Sequence, residues 1–322
     1  MSDLPIFAHV TARQTLRYRA AHPHYGAHVR AGSGLTWVAD ELAIVQDDAL
    51  CIAWLNPHTG ILRLSALSQT LADSLGAHTF DTAAGNKHRK PDFEAAFAWH
   101  LDGKSELVAL GSGSSEQRFK IVRIGQGGAK VIVVDASRWF SALSCDTAFS
   151  GSRLNIEGAC CSDQQVLLFQ RGNGAAVAGR QPVNTIALFE IADVKRYLNS
   201  PETAPVPVRV QLRTFDLTGF ALAGSMIPWG FADACQIDAR TWFLLSAEAS
   251  PDVLSDGEVA AAAIGYLTDS GAEFGLILDE NGGILRDKLE GLASDGAGGF
   301  YAVTDNDDPN QPAQLLRLRV KI

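Results

Sequence analysis

The sequence lacks any apolar run of the ~20 residues needed to cross a bilayer, and one of its longest nearly apolar stretches, Val259–Leu267, is far shorter. Residues 1–11 also lack the basic segment and apolar run of a signal peptide. The five cysteines form no CxxC pair, and their odd number is typical of reduced thiols rather than of a disulfide framework. We therefore expect a cytoplasmic protein with no membrane partner, or a periplasmic one if a signal peptide has been removed.

Basic residues are also scarce, since 27 Lys and Arg against 36 Asp and Glu give a formal net charge of −9. Such a chain has no general attraction to nucleic acid, and cations are its more natural partners. Helical periodicity is rare, and the best short helices are predicted at residues 137–143 and 192–198. With 322 residues, of which 47% are hydrophobic, the chain is long enough for a large β architecture or for two domains.

A repeated pattern decides between these two possibilities. A polar or acidic residue is followed by small residues, a tight turn and an apolar strand with a polar end, as in EGLASDGAGGFYAVTDNDD from Glu290. This pattern is typical of a β-hairpin. The anchor positions lie 61, 63, 73 and 60 residues apart: Ser33, Glu94, Glu157, Gly230 and Glu290. Two further strands can usually be read between anchors, and four strands per unit is the composition of a propeller blade.

The last unit supplies only three strands and ends in LLRLRV, whereas the N-terminal segment HVTARQTLRYRA is an unassigned strand. We predict that the N-terminal strand completes the last blade, because this closure removes an exposed sheet edge. The sequence therefore predicts an all-β fold, a five-bladed β-propeller forming one domain over residues 1–322. A six-bladed propeller is the alternative.

The anchors are expected to share one face of the propeller. The first strand of each blade is innermost, so Glu94, Glu157 and Glu290 should converge at one mouth of the central channel. The start of a hairpin's first strand and the end of its second lie together, which predicts a surrounding ring of polar residues: Asp47, Asp48, Arg171, Glu248, Asp305 and Asp307. The segment HPHYGAHVRAGSG should bring further polar side chains to the same face: His22, His24, His28 and Arg30.

Three carboxylates in a narrow channel repel one another unless they are neutralised. A hard divalent cation is one neutraliser, because carboxylates, carbonyls and waters form the oxygen shell typical of calcium. The metal ligands predicted in this case are Glu94, Glu157, Glu290, Asp48, Asp305 and Asp307. Basic side chains are the other neutraliser, since a cation stands four residues before each glutamate: Lys90, Arg153 and Arg286. The two can coexist if the basic residues bind an anionic substrate above the metal.

The motifs KPDFEA, NIEGA followed by LLFQRGN, and KLEGLA followed by VTDND resemble bacterial propeller domains of the phytase-like and esterase-like kind. The blade count and the recurrent EG(L/A) anchors are similar to the calcium-activated nucleotidases, or apyrases, which are five-bladed with a central calcium. The resemblance implies that Glu94, Glu157 and Glu290 serve a central calcium site. Ser33 and Gly230 depart from a fully acidic ring, so such a site would rely on water or main chain.

Other motifs are weaker. The spacing of His22, His24 and His28 suits zinc, but no HExxH or CxxC accompanies them, and His24 is kept as a candidate general base. The glycines of GQGGAK and GNGAAVAG lack the spacing of phosphate loops. Trp229 stands beside the anchor Gly230, where it could stack on a ligand.

Two functions remain open. The first is a calcium-dependent hydrolase of an anionic, phosphorylated small molecule, with Glu157 or Glu290 as metal ligand or base. Its substrate would be held by basic and aromatic side chains: Lys90, Arg153, Arg171, Arg286 and Trp229. The second is a non-catalytic propeller that binds a ligand or protein, in which the glutamate ring is purely structural.

Overall fold

The computed structural model describes residues 6–101, 103–173, 175–217, 219–222, 224–249 and 257–321. Strands dominate these residues, and the helices among them are too short to span a membrane. The N-terminal segment forms three strands: β1 (Phe7–Thr15), β2 (Arg17–His22) and β3 (Gly26–His28). The predicted N-terminal strand is thus divided at Leu16, and β2 pairs with β3 in a separate hairpin.

Three antiparallel sheets of four strands follow in chain order. The first contains β4 (Gly34–Val38), β5 (Glu41–Val45), β6 (Cys51–Asn56) and β7 (Ile61–Ala66). The second contains β8 (Phe93–Leu101), β9 (Lys104–Gly111), β10 (Lys120–Gly125) and β11 (Ala129–Asp135). The third contains β12 (Ile156–Cys161), β13 (Gln165–Gln170), β14 (Asn184–Glu190) and β15 (Arg209–Phe215). A small hairpin comes next, formed by β16 (Phe220–Leu222) and β17 (Ser225–Ile227).

The remaining strands join the N-terminal strand in an eight-stranded sheet of order β18-β19-β20-β21-β1-β24-β23-β22. Its strands are β18 (Trp229–Ile237), β19 (Arg240–Glu248), β20 (Val259–Leu267), β21 (Ala272–Leu278), β22 (Leu289–Ser294), β23 (Gly299–Thr304) and β24 (Gln314–Lys321). Strand β1 pairs antiparallel with β24 from Phe7 opposite Lys321 to Thr15 opposite Gln314. The predicted pairing of the N-terminal strand with the last strand is therefore confirmed.

Strand β1 also pairs in parallel with β21 and so joins the two halves of the large sheet, through Ala8 opposite Ile277. The approach is close at Gly275, where a Cβ atom would stand 1.5 Å from the carbonyl oxygen of Ile6. Only glycine fits this position, because any side chain would overlap the main chain of the N-terminal segment.

The first strands of the sheets surround a common axis: β4 contacts β8, β8 contacts β12, β12 contacts β18, β18 contacts β22 and β22 contacts β4. Small residues permit this crowding. A Cβ atom at Gly158 of β12 would stand 2.9 Å from Cα of Asp233 in β18, and one at Gly291 would stand 2.7 Å from Cβ of Leu35. Sheets arranged radially around their first strands form a β-propeller.

Short helices cover the spaces between sheets: α1 (Gln69–Leu75), α2 (Ser137–Cys145), α3 (Thr147–Ser150) and α4 (Ile191–Asn199). The two helices that the sequence predicts correspond to α2 and α4. Trp139 and Phe140 of α2 pack with Tyr197 of α4 in the apolar layer between the second and third sheets. These contacts pack the second and third sheets against each other.

Candidate functional site

A β-bulge places each of the three predicted glutamates. The strand register shifts between Phe93 and Ala95, between Ile156 and Gly158, and between Leu289 and Gly291, so that Glu94, Glu157 and Glu290 are the extra residues. A bulge removes its extra residue from the ladder and redirects the side chain. All three glutamates are buried, at 9%, 8% and 4% relative exposure, and the charge of Glu157 acts on each of the other two. They therefore converge as the repeat predicts.

Lys90 lies among three carboxylates from two sheets. Its Nζ bonds Oδ2 of Asp47, and it lies 2.7 Å from Oδ1 of Asp92 and 4.0 Å from Oε1 of Glu94. Asp47, Asp92 and Glu94 each offer an oxygen, and these oxygens lie within 4.8 Å of one another. Hard divalent cations prefer such a donor set. Arg118 approaches Asp92 from the other side, with Nη1 2.5 Å from Oδ2.

Arg171 occupies the opposite part of the mouth. Its Nη2 donates to Oε2 of Glu248 at 2.6 Å, and its Nη1 lies 3.5 Å from Oε2 of Glu157. Asn155 completes the environment of Glu157 by donating from Nδ2 to Oε1 at 2.6 Å. Gly230 leaves room for this arrangement, because a Cβ atom there would stand 2.7 Å from Cγ of Arg171.

Lys288 is the fourth cation of these contacts, after Lys90, Arg118 and Arg171. Its Nζ lies 3.3 Å from Oε1 of Glu290, 3.2 Å from Oδ2 of Asp305 and 2.8 Å from Oδ1 of Asp307. Lys288 stands two residues before Glu290 at the start of β22, and Asp305 directly follows β23. The ends of a paired hairpin thus supply both the cation and its carboxylates.

Eight carboxylates share four cations in these contacts. We call the eight the carboxylate ring: Asp47, Asp92, Glu94, Glu157, Glu248, Glu290, Asp305 and Asp307. Burial raises the pKa of Glu94 and Glu290 well above the ordinary value, and their acidic neighbours add to this effect. Burial would also raise the pKa of Asp92, but Lys90 and Arg118 outweigh it and lower that pKa to about 2. The cations therefore act unevenly on the ring, because the pKa of Asp92 is held low while those of Glu94 and Glu290 stay raised.

The other predicted site residues lie around the ring or away from it. Asp48 bonds Arg30, with Oδ2 2.8 Å from Nε, and burial raises the pKa of Asp48 to about 7. Arg153 donates to the carbonyl oxygen of Ser114 at 2.9 and 3.0 Å, whereas Arg286 is exposed. The neutralisers that lie beside Glu157 and Glu290 are thus Arg171 and Lys288 rather than the residues four positions earlier.

Two of the predicted site residues, Trp229 and His24, pack against other rings. Trp229 is 4% exposed and packs edge-on against Phe220 and Phe274, at centroid distances of 5.7 and 6.1 Å. His24 stacks on His78 at 4.1 Å between ring centroids. His28 lies near Asp305 and Asp307, with its Nε2 3.1 Å from the carbonyl oxygen of Pro309, which lines the same pocket as these two acids.

Two pockets flank the ring. The first, of about 260 Å³, is lined by residues of both signs of charge: Arg30, Asp47, Asp48, Asp81, Lys87, Lys90, Asp305 and Asp307. The second, of about 540 Å³, extends from Arg171 and Glu248 toward the β16–β17 hairpin. Both pockets therefore share residues with the carboxylate ring.

Several residues in or near the ring are not predicted from the sequence. Asp92 and Arg118 carry no signal in the repeat, because Asp92 precedes the anchor and Arg118 ends a short 3-10 helix, Glu116–Arg118, before β10. Lys288 could have been predicted as the partner of Glu290, because it stands two positions earlier and residues two apart on an extended chain point to the same side. Asp233 is fully buried in β18, and its Oδ2 accepts the N–H of Leu292 at 2.7 Å.

The chain is similar to one protein family and to several solved structures. The model of a family of unknown function (DUF6929) matches residues 28–320, and no curated protein matches. Myxococcus xanthus glutaminyl cyclase is 10% identical with a TM-score of 0.49, over 98% of this chain and 97% of that one. A thermostable family-43 glycoside hydrolase is 14% identical with a TM-score of 0.45, over 94% of this chain and 96% of that one.

Proposed function

The chain belongs to a family of unknown function (DUF6929), and we propose that it is a calcium-dependent hydrolase of a small anionic molecule. The observation that carries the proposal is the composition of the carboxylate ring, in which eight carboxylates gather around four cations in the ion pairs described above, within the part of the chain that the structure describes. Carboxylates held this close in a buried mouth either take up protons or bind a cation.

The fold part of the proposal is a five-bladed propeller. In this interpretation the eight-stranded sheet is two blades, β18–β21 and β22–β24 with β1, joined by the pairing of β1 with β21. The closed cycle of contacts among β4, β8, β12, β18 and β22 supports five blades around one channel. Calcium would then lie on or near the channel axis, where the first strands bring their acidic residues together.

The favoured ligands are Asp47, Asp92 and Glu94, because their oxygens already lie within 4.8 Å of one another. Lys90 now holds these oxygens, and a calcium ion would displace its ammonium group from them. The first pocket is the space into which Lys90 would turn, since Lys90 lines it together with Arg30 and Lys87. These cations would hold an anionic group above the ion.

Calcium bound here would polarise the substrate and a water molecule. Glu290 is the candidate general base, because burial raises its pKa and a carboxylate with a raised pKa is a stronger proton acceptor. Lys288 lies 3.3 Å from Glu290 and would regulate how readily that carboxylate gives up its proton.

The second candidate is a non-catalytic propeller with a structural ring. A specific observation favours it: each of the three glutamates already has a basic neighbour, namely Lys90, Arg171 or Lys288. Such a ring would hold the first strands together through buried ion pairs, and it would need no metal.

Calcium titration separates the two candidates. Isothermal calorimetry of the chelator-treated protein should show one calcium site, and Glu94→Gln should weaken binding at least tenfold. Asp163→Asn is the matched control, because Asp163 is an exposed acid in the turn at the far end of the β12–β13 hairpin. Phosphoesters, nucleotides and lactones are then screened for turnover that EDTA abolishes. Calcium binding without turnover would leave a binding protein, and the absence of calcium binding would favour the structural ring.

A further inference from the structure

Lys90 occupies the place in the carboxylate ring where the proposed calcium ion would bind. Its Nζ bonds Oδ2 of Asp47, and it lies 2.7 Å from Oδ1 of Asp92 and 4.0 Å from Oε1 of Glu94. These three residues are the ones whose oxygens lie within 4.8 Å of one another. An ammonium group and a calcium ion repel each other and need the same space, so the two cations compete for one set of oxygens.

The ammonium group satisfies these carboxylates only in part. Oδ1 of Asp47 has no hydrogen-bond partner within the part of the chain that the structure describes. An ammonium group has only N–H donors to offer, whereas calcium takes about six to eight oxygen ligands and binds both oxygens of one carboxylate. An ion in place of the Lys90 Nζ would stand directly beside the Asp47 carboxylate and would use the oxygen that Lys90 leaves unbonded.

Lys90 can leave this position by rotation of its side chain alone. Its main chain is held, since its N–H donates to the carbonyl oxygen of Lys87 at 3.2 Å and Pro91 follows it. The four-carbon stem of lysine is flexible, and Lys90 already lines the first pocket, of about 260 Å³. The ammonium group therefore has a space to enter when calcium takes its oxygens.

The first pocket is unfavourable to an anion while Lys90 stays in the ring. Acids outnumber cations in its lining, and Arg30 is already engaged by Asp48 and Asp81, at 2.8 and 3.2 Å. Calcium would add two positive charges beside the pocket and would release the Lys90 ammonium group from the ring. Both changes favour an oxyanion in the pocket.

We propose that Lys90 couples calcium binding to anion binding. Without calcium its ammonium group closes the metal position, and with calcium the same group holds an oxyanion in the first pocket. This inference rests on the proposed function and specifies how its site is regulated. The coupling is reciprocal, because an anion that draws Lys90 into the pocket frees the carboxylates and tightens calcium binding by the same factor.

Sulfate is the probe for the oxyanion. Calcium is titrated calorimetrically into the chelator-treated protein in sulfate and in chloride at equal ionic strength. Sulfate should tighten calcium binding at least about fivefold, which is the lower end of the usual range of coupling between two sites. Equal calcium affinities in the two salts would overturn the coupling and leave the calcium part of the proposed function intact.

Lys90→Met removes the ammonium group and keeps an unbranched side chain. In chloride this variant should bind calcium at least about fivefold more tightly than the unaltered protein, and sulfate should no longer change its affinity. Lys104→Met is the matched control, because Lys104 is exposed at the start of β9, and it should behave as the unaltered protein does. A Lys90→Met protein that keeps the sulfate effect would overturn the assignment of the coupling to Lys90.

These outcomes separate the coupling from the hydrolase. Coupling without turnover in the substrate screen would overturn the hydrolase and leave the role of Lys90 intact. Calcium that binds in neither salt would overturn both. The comparison of sulfate with chloride on the unaltered protein decides the question even if Lys90→Met does not fold.

Discussion

The side chain of Arg171 passes through the space that a side chain at position 230 would occupy. A Cβ atom on Gly230 would stand 2.7 Å from Arg171 Cγ and 2.9 Å from its Nε. Gly230 interrupts the acidic series of anchors, and the reason is steric: the third sheet supplies a cation that needs this space. Gly230 therefore replaces an acid at its anchor because Arg171, directly after β13, occupies the space that a side chain there would need.

Gly230→Ala should therefore destabilise the protein through Arg171, by about 1–3 kcal/mol, the usual cost of overpacking a buried site. The measurement is the free energy of unfolding from denaturant titration. Arg171→Ala in the same background provides the control, since removing the obstructing side chain should make the Gly230→Ala cost largely disappear. Additive costs in the double variant would show that the two positions do not interact.

Substituting Lys288 and Arg286 in turn tests which of these two basic residues neutralises Glu290. Lys288→Met leaves Glu290, Asp305 and Asp307 without their shared ammonium group, which should cost about 3–5 kcal/mol at pH 7. Arg286→Met should change stability by less than about 0.5 kcal/mol, because Arg286 is exposed. Lowering the pH to 5 should recover part of the Lys288→Met loss by protonating the carboxylates. Equal effects of the two substitutions would contradict this assignment.

The sequence predicts the glutamates better than their cations, for a reason that lies in backbone geometry. The hairpin repeat marks the anchors, since each glutamate occupies the same place in its unit. Four residues of extended chain span about 13 Å, so a cation four positions before an anchor is usually out of reach. Lys90 reaches Glu94 only because Asp92 between them adopts a left-handed conformation, with φ 57°. Arg286 has no such turn, and the nearer Lys288 takes its place.

The pockets could not be predicted at all, because their walls come from separate sheets. Ser246 and Phe215 belong to strands of different sheets, and no spacing along the chain says that they face one cavity. The hairpin repeat does predict strand pairing, and the missing fourth strand of the last unit predicts the contribution of the N-terminal strand. Local patterns therefore specify each sheet, while the site depends on how the sheets are arranged around the axis.

The joint between β1 and β21 can be tested at Gly275. Gly275→Val should displace Ile6 and free the N-terminal strand, because even a Cβ atom would stand 1.5 Å from the Ile6 carbonyl oxygen. We expect a lower and broader melting transition by calorimetry, comparable to that of a chain lacking residues 1–20. Gly271→Val is the control, since a Cβ atom there meets nothing within 4 Å. A Gly275→Val protein that melts as sharply and as late as the control would show that this strand is dispensable.

Asp233 is not one of the eight ring carboxylates, but it is fully buried in β18 and gives the protein a further pH dependence. Burial raises its pKa well above the ordinary value, and main-chain N–H groups, including that of Leu292, offset this only in part. A carboxyl group whose pKa is higher in the folded than in the unfolded state costs stability as the pH rises from about 4 through the folded pKa, at up to about 1.4 kcal/mol per pH unit. Asparagine resembles the protonated acid and does not titrate. The difference in unfolding free energy between Asp233→Asn and the unaltered protein should therefore shift in favour of the variant between pH 5 and pH 8.

Asp233→Ala serves as the reference for that measurement. It leaves the N–H of Leu292 unpaired in the interior, so it should lose about 1–3 kcal/mol at pH 5, where Asp233→Asn loses little. Both unfolding free energies come from denaturant titrations at the two pH values, and the titration of the ring carboxylates cancels to a first approximation in the differences. If Asp233→Asn instead costs more at pH 8 than at pH 5, Asp233 is ionised in the folded protein. Its negative charge would then be required to hold the main-chain donors of the first strands.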